Sequence, residues 1–150
     1  MVINEVQYDP PQSSDDAYEW VELFNRTDHT IDLEGWRIRD NCCSDRIPQL
    51  SLAPRGFLVI AATEEGFYTN FPDFTGTIVF VEDGLLGGRL GNDSDHLILE
   101  DGEGRVIDAL SWGWDTSRTP HCDAVAQGHS LERMPAGGEF RDNPNPTPGR

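Results

Sequence analysis

A chain of 150 residues is one domain's worth of sequence, long enough to bury a core without disulfide support. Its 27 acidic residues outnumber 11 basic ones, all of them Arg, for a formal net charge of −16. That surface repels polyanions and disfavours nucleic acid as a partner, and no apolar run approaches the roughly 20 residues that cross a bilayer. The same acidity suits divalent cations, a basic partner or a salty milieu, or reflects only a codon bias that replaces Lys with Arg.

The predicted elements are strands. Val2 to Gln7 opens the chain, and stretches near residues 18–25 and 35–39 read as two neighbouring strands joined by the polar turn Arg26-Thr27-Asp28-His29-Thr30. In the second of these, Trp36 and Ile38 alternate with Arg37 and Arg39, the period of a sheet with one buried and one wet face. Further strands are predicted near residues 57–62, 77–82, 96–100, 105–111 and 129–134. Phe57 to Ala62 and Thr77 to Val81 are continuous apolar runs, expected of central strands covered on both faces. Between them, Thr63-Glu64-Glu65 can cap one helical turn through Phe67 and Tyr68 that ends before Pro72. Asp101-Gly102-Glu103-Gly104 is a hairpin turn, and residues 141–150, with prolines at 144, 146 and 148, read as a tail that is a linker or docks along the edge of the fold.

Seven segments fall in an order that resembles the lamin tail domain family: Ile3-Asn4-Glu5-Val6, Glu19 to Asn25, Leu33 to Asp40, Leu52 to Ala61, Gly91 to Leu99, Gly128 to Arg133 and Pro146 to Gly149. The resemblance implies an all-β, immunoglobulin-like β-sandwich with at most one short helical turn, occupying residues 1–150 as a single domain. It also implies that Trp20 and Trp36 fill the interior, and that the chain is a non-catalytic interaction or targeting module of a larger prokaryotic surface or secreted protein. No signal peptide is legible before the first strand, so an extracellular or cell-surface location is expected only as part of a longer exported chain. Fold implies function weakly, and the nucleic-acid contacts of animal lamin tails are not carried over to so acidic a chain.

Candidate sites are few. Cys42, Cys43 and Cys122 allow one disulfide, Cys122 with Cys42 or Cys43, which would close a loop of roughly 80 residues worth about 4 kcal/mol. The alternatives are free thiols, or a zinc site of Cys42, Cys43, His121 and Cys122, whose adjacent ligands lack the usual spacer. No cofactor is required, but calcium is a candidate ligand. Hard oxygens cluster at Asp9, Asp15, Asp16, Glu19 and Glu22, and at Asn92, Asp93 and Asp95, where close spacing lets several converge; solvated carboxylates are the plainer reading. Catalysis has no motif behind it, because Gly128-His129-Ser130-Leu131-Glu132 is not a nucleophile elbow. Arg133 is expected to pair with Glu5 or Glu22. Trp112 and Trp114 flank Gly113 at a strand end and fall on one face if the strand continues, either as an exposed anchor for a protein partner or packed under the following segment. The oligomeric state is not legible.

Overall fold

The computed structural model describes residues 1–150. In chain order the elements are β1 (Val2–Gln7), β2 (Trp20–Phe24), β3 (Ile31–Asp32), β4 (Arg37–Arg39), β5 (Ser44–Arg46), β6 (Ser51–Leu52), β7 (Phe57–Ala61), α1 (Glu64–Asn70), β8 (Ile78–Phe80), β9 (Ser94–Glu100), β10 (Val106–Gly113), β11 (His121–Cys122), β12 (Ser130–Met134) and β13 (Glu139–Asn143). One sheet has the order β13-β12-β1-β2-β7-β8, the other β11-β10-β9-β4-β5, and β3 pairs with β6 in a short ribbon.

The two sheets close face to face on one core. Ile3, Val21, Leu23, Leu58 and Ile60 come from the first sheet and Ile38, Leu97, Leu99, Leu110 and Trp112 from the second, alternating along each strand with residues that point away. This is an immunoglobulin-like sandwich with one short helix, as expected. The outer face of the six-stranded sheet is not bare. Trp20, Val59 and Ala61 form a second apolar cluster there beneath Phe67 of α1. Thr63 caps that helix, its Oγ1 accepting from Gly66 N at 3.0 Å and donating to Ala17 O at 2.8 Å.

The structure revises several expectations. The strands around Trp20 and Trp36 are not sheet neighbours, since β2 pairs with β1 and β7 while β4 pairs with β9 and β5 across the core. Trp20 is fully buried, but under α1 rather than between the sheets. The run Thr77 to Val81 contributes β8, an edge strand parallel to β7, which is why its residues are only half-buried. Residues 141–143, expected in the tail, complete β13 against β12. The tail proper lies against the outer face of the six-stranded sheet. Arg133 reaches Asp108 at 3.2 Å and covers the ring of Phe140, because it points to the opposite face from its neighbour Glu132 and therefore from Glu5 and Glu22.

Candidate functional site

The chemistry-bearing residues gather in four places. The first is the end of the sandwich where the loop before β9 meets the segment after β1. Asn92 Nδ2 donates to Asp15 Oδ2 at 2.7 Å and to Asp9 Oδ1 at 3.2 Å. Burial, then the charges of Asp15 and Asp93, push the Asp9 carboxyl above its usual range. Part of each acidic cluster seen in the sequence thus meets in space, Asp9 and Asp15 with Asn92 and Asp93, while Asp16 pairs with Arg89 and Glu19, Glu22 and Asp95 lie elsewhere. Asp95 is 2 % exposed and turned inward, accepting from Gly91 N at 2.9 Å and His96 N at 2.8 Å. Asn92 and Asp93 stay together and Asp95 serves the loop behind them.

That loop accounts for three buried acids, Glu19, Asp40 and Asp95. Four backbone N–H groups between residues 87 and 91 each meet a carboxylate: Gly87 with Asp45 and Gly88 with Asp40 at 2.6 Å, Leu90 with Glu19 at 3.2 Å, and Gly91 with Asp95. With no strand beside it to pair with, the loop satisfies these donors through carboxylates of neighbouring elements. Glu19 is the costly member. Burial drives it up to about 9 against the Leu90 bond, and its Oε1 has no partner.

The third place is on the outer face of the six-stranded sheet. Glu5 stands directly opposite Glu22 on β2 and Glu132 on β12, and Glu132 opposite Arg141 on β13, so three carboxylates and one guanidinium form a row across four strands. The carboxylates are 0 %, 0 % and 7 % exposed because the tail covers them. Thr147 N donates to Glu5 Oε1 at 3.0 Å, Thr147 Oγ1 to Glu132 Oε2 at 3.2 Å, and Gly149 N to Glu22 Oε2. From the sheet, Ser130 Oγ donates to Glu5 Oε1 at 2.5 Å and Asn4 Nδ2 to Glu22 Oε1 at 2.9 Å. Burial dominates: it raises Glu5 to about 8 and Glu22 to about 7 against these bonds. Nothing in sequence spacing foretold the row, and the tail, expected as a linker or docked along the edge, lies instead over the sheet's outer face.

The fourth place is the end of β10. Gly113 adopts φ +65°, and the chain turns there, so Trp112 and Trp114 do not share a face. Trp112 is fully buried, stacked on Tyr8 at 4.5 Å with its Nε1 donating to Gly91 O at 2.8 Å, which removes it as a partner-binding residue. Trp114 is 82 % exposed. Beyond it, Asp115 Oδ2 lies 2.6 Å and Ser117 Oγ 3.3 Å from His96 Nδ1. The Ser117 hydroxyl and His96 together hold the Asp115 carboxyl down to about 2. Serine, histidine and aspartate in contact invite comparison with a catalytic triad, but a relay requires acid and serine on opposite ring nitrogens. Here both address the same one. His129 pairs with Asp142 at 2.7 Å, while Ser130 faces Glu5, so that pair is no nucleophile and base either.

The cysteines are paired differently from the expectation. Cys42 is bonded to Cys43 in the turn between β4 and β5, and Cys122 on β11 is free and half-buried. β10 and β9 separate β11 from β4. At ~4.8 Å per strand that is roughly 14 Å of sheet, about twice the reach of a disulfide. The same gap rules out one zinc ion held by all of Cys42, Cys43, His121 and Cys122.

The Lamin Tail Domain family model matches residues 1–114 of the chain, from β1 to the turn after β10. No curated protein matches it.

Proposed function

Because this chain belongs to the lamin tail domain family, we propose that it is a non-catalytic interaction module carried by a larger prokaryotic surface or secreted protein, recognising a protein partner through its end loops. The observation behind this reading is Trp114. Exposing an indole to 82 % forfeits apolar burial that the other three tryptophans obtain, and tryptophan is over-represented among the anchors of interfaces. Net charge −16 points to a partner with a basic face and away from nucleic acid.

The test is retention of cell-surface proteins from the encoding organism on immobilised wild-type domain and on Trp114→Ala. A protein held by the first and lost by the second supports the reading. Identical retention, or turnover of ester, peptide or phosphodiester substrates by the domain, overturns it.

A second reading rests on the merged acidic cluster: a calcium-stabilised accessory module of an exported hydrolase, with the ion taken by Asp9, Asp15, Asn92 and Asp93. Asn92 already places a donor nitrogen between two carboxylates, where a cation would draw them together and the amide oxygen would face it instead. Calcium at about 100 times its dissociation constant would raise the melting midpoint by roughly 5–10 °C over EDTA at matched ionic strength. Asp93→Asn would remove that rise; no rise in the wild type retires the reading.

A further inference from the structure

We propose that Asp95, His96 and Asp115 form a binding site for a divalent transition ion, with zinc as the fitting species. The site differs in place and chemistry from the all-oxygen cluster at Asp9, Asp15 and Asp93, and it does not depend on the interaction-module reading.

The chain builds the arrangement in two steps. Asp95 and His96 are consecutive on β9, and the β9–β10 register sets Trp112 opposite Asp95 and Ser111 opposite His96. Gly113 then reverses the chain so tightly that a Cβ there would lie 1.7 Å from Asp93 O, a turn open to glycine alone. Two residues later Asp115 is delivered onto His96 from above. One ligand atom from each of the three residues lies within 4.8 Å of the other two. Bonds of about 2.0–2.2 Å to zinc place tetrahedral ligands roughly 3.3 Å apart, so the three ligand atoms would draw in by up to about 1.5 Å to seat the ion. His96 Nδ1 and Asp115 Oδ2, now 2.6 Å apart around a shared proton, would separate by less than about 1 Å as the ion replaces that proton.

The surroundings fit a metal centre. Each carboxylate is aimed by backbone donors: Asp115 Oδ1 by Ser117 N at 2.7 Å, and Asp95 by Gly91 N and His96 N. Such outer contacts orient the ligands of known metal sites. One imidazole with two carboxylates favours a borderline ion over calcium or magnesium, which prefer oxygen alone. The His96 and Asp115 side chains are 12 % and 20 % exposed, leaving an entry path and room for Ser117 Oγ or water as the fourth ligand. An ion here would staple the segment after Gly113, and with it Trp114, to β9.

The experiment is titration of the metal-stripped full chain with zinc by calorimetry, repeated with cobalt for its visible spectrum and paired with thermal melts. One ion per chain is expected, with tetrahedral cobalt bands and a midpoint rise of roughly 5–10 °C at about 100 times the dissociation constant. His96→Gln and Asp115→Asn should each weaken binding more than about 10-fold, while Asp93→Asn and Cys122→Ser leave it unchanged. If His96→Gln does not fold, Asp115→Asn decides, since its side chain lies on a surface turn. No binding by the wild type, binding indifferent to both ligand variants, or binding lost in Cys122→Ser overturns the proposal; the last would assign the ion to Cys122 and His121.

Discussion

Glu5 is the residue with most at stake. It is fully buried between two other glutamates, one of its oxygens accepts from Ser130 and Thr147, and its Oε2 has no partner. A group whose folded pKa lies above its unfolded value holds a proton that the unfolded chain has already released. Glu5 near 8 and Glu22 near 7, against 4.5 for both when exposed, therefore stabilise the fold fully below about pH 4.5 and progressively less as the pH climbs to 7 and 8. Each titrating group contributes a slope of up to about 1.4 kcal/mol per pH unit, or roughly 3–5 °C in melting midpoint for a domain of this size. Melting curves from pH 5 to pH 8.5 should show the wild-type midpoint falling steadily. Glu5→Gln, which carries the equivalent of a permanent proton, should fall less and melt above the wild type at pH 8.5. Parallel curves for the two proteins would mean that the row is not where the protons reside. Gly113→Ala tests the other special position. With φ at +65° and a backbone oxygen in the way, it should lose at least about 1–3 kcal/mol in urea unfolding, a loss independent of pH.

Elements show why the buried acid is tolerated. The tail beyond β13 is short and irregular, yet it supplies two backbone N–H groups and a hydroxyl to three carboxylates that no cation reaches. Deleting residues 144–150 should cost about 1.5–4.5 kcal/mol, three hydrogen bonds onto buried carboxyl groups at a net ~0.5–1.5 each. Because the deletion lets water onto the row, it should also flatten the pH dependence. Urea unfolding at pH 5 and pH 8.5 measures both effects, and a truncated chain as stable and as pH-sensitive as the whole would contradict the account. Legibility in the sequence followed the same division. β1, β2, β4, β7, β9, β10 and β12 were readable because alternation or an apolar run marks a strand with a core to face, and Thr63 announced α1. β3, β6 and β11 run two residues each, too short for any periodicity, β5 is polar throughout, and β13 is charged along a sheet edge. The site was legible only as composition. Which carboxylates meet depends on pairings between strands more than 100 residues apart, as with Glu5 and Glu132, and on the turn at Gly113 that parts Trp112 from Trp114.

For the whole molecule, charge and redox state are the levers. A net charge of −16 on 150 residues opposes compaction, and salt screens exposed charges beyond roughly 8 Å at physiological strength, so sodium chloride from 0.05 to 1 M should raise the midpoint. A flat or falling midpoint would show the acidic groups to be compensated locally. Reduction should matter far less than the sequence suggested. The bond joining Cys42 to Cys43 closes no long loop, so breaking it withdraws none of the ~4 kcal/mol that a bridge to Cys122 would confer. Thiol titration of the unfolded chain should count one free group before reduction and three after, and the melting midpoint should scarcely change. The four tryptophans, finally, are sorted by depth: Trp20 and Trp112 are wholly enclosed, Trp36 nearly so, and Trp114 stands in water. Red-edge emission quenchable by acrylamide therefore belongs to a single indole beside the proposed metal site. The molecule carries its own optical reporter, whose spectral shift or shielding would register an arriving partner or ion without any attached dye.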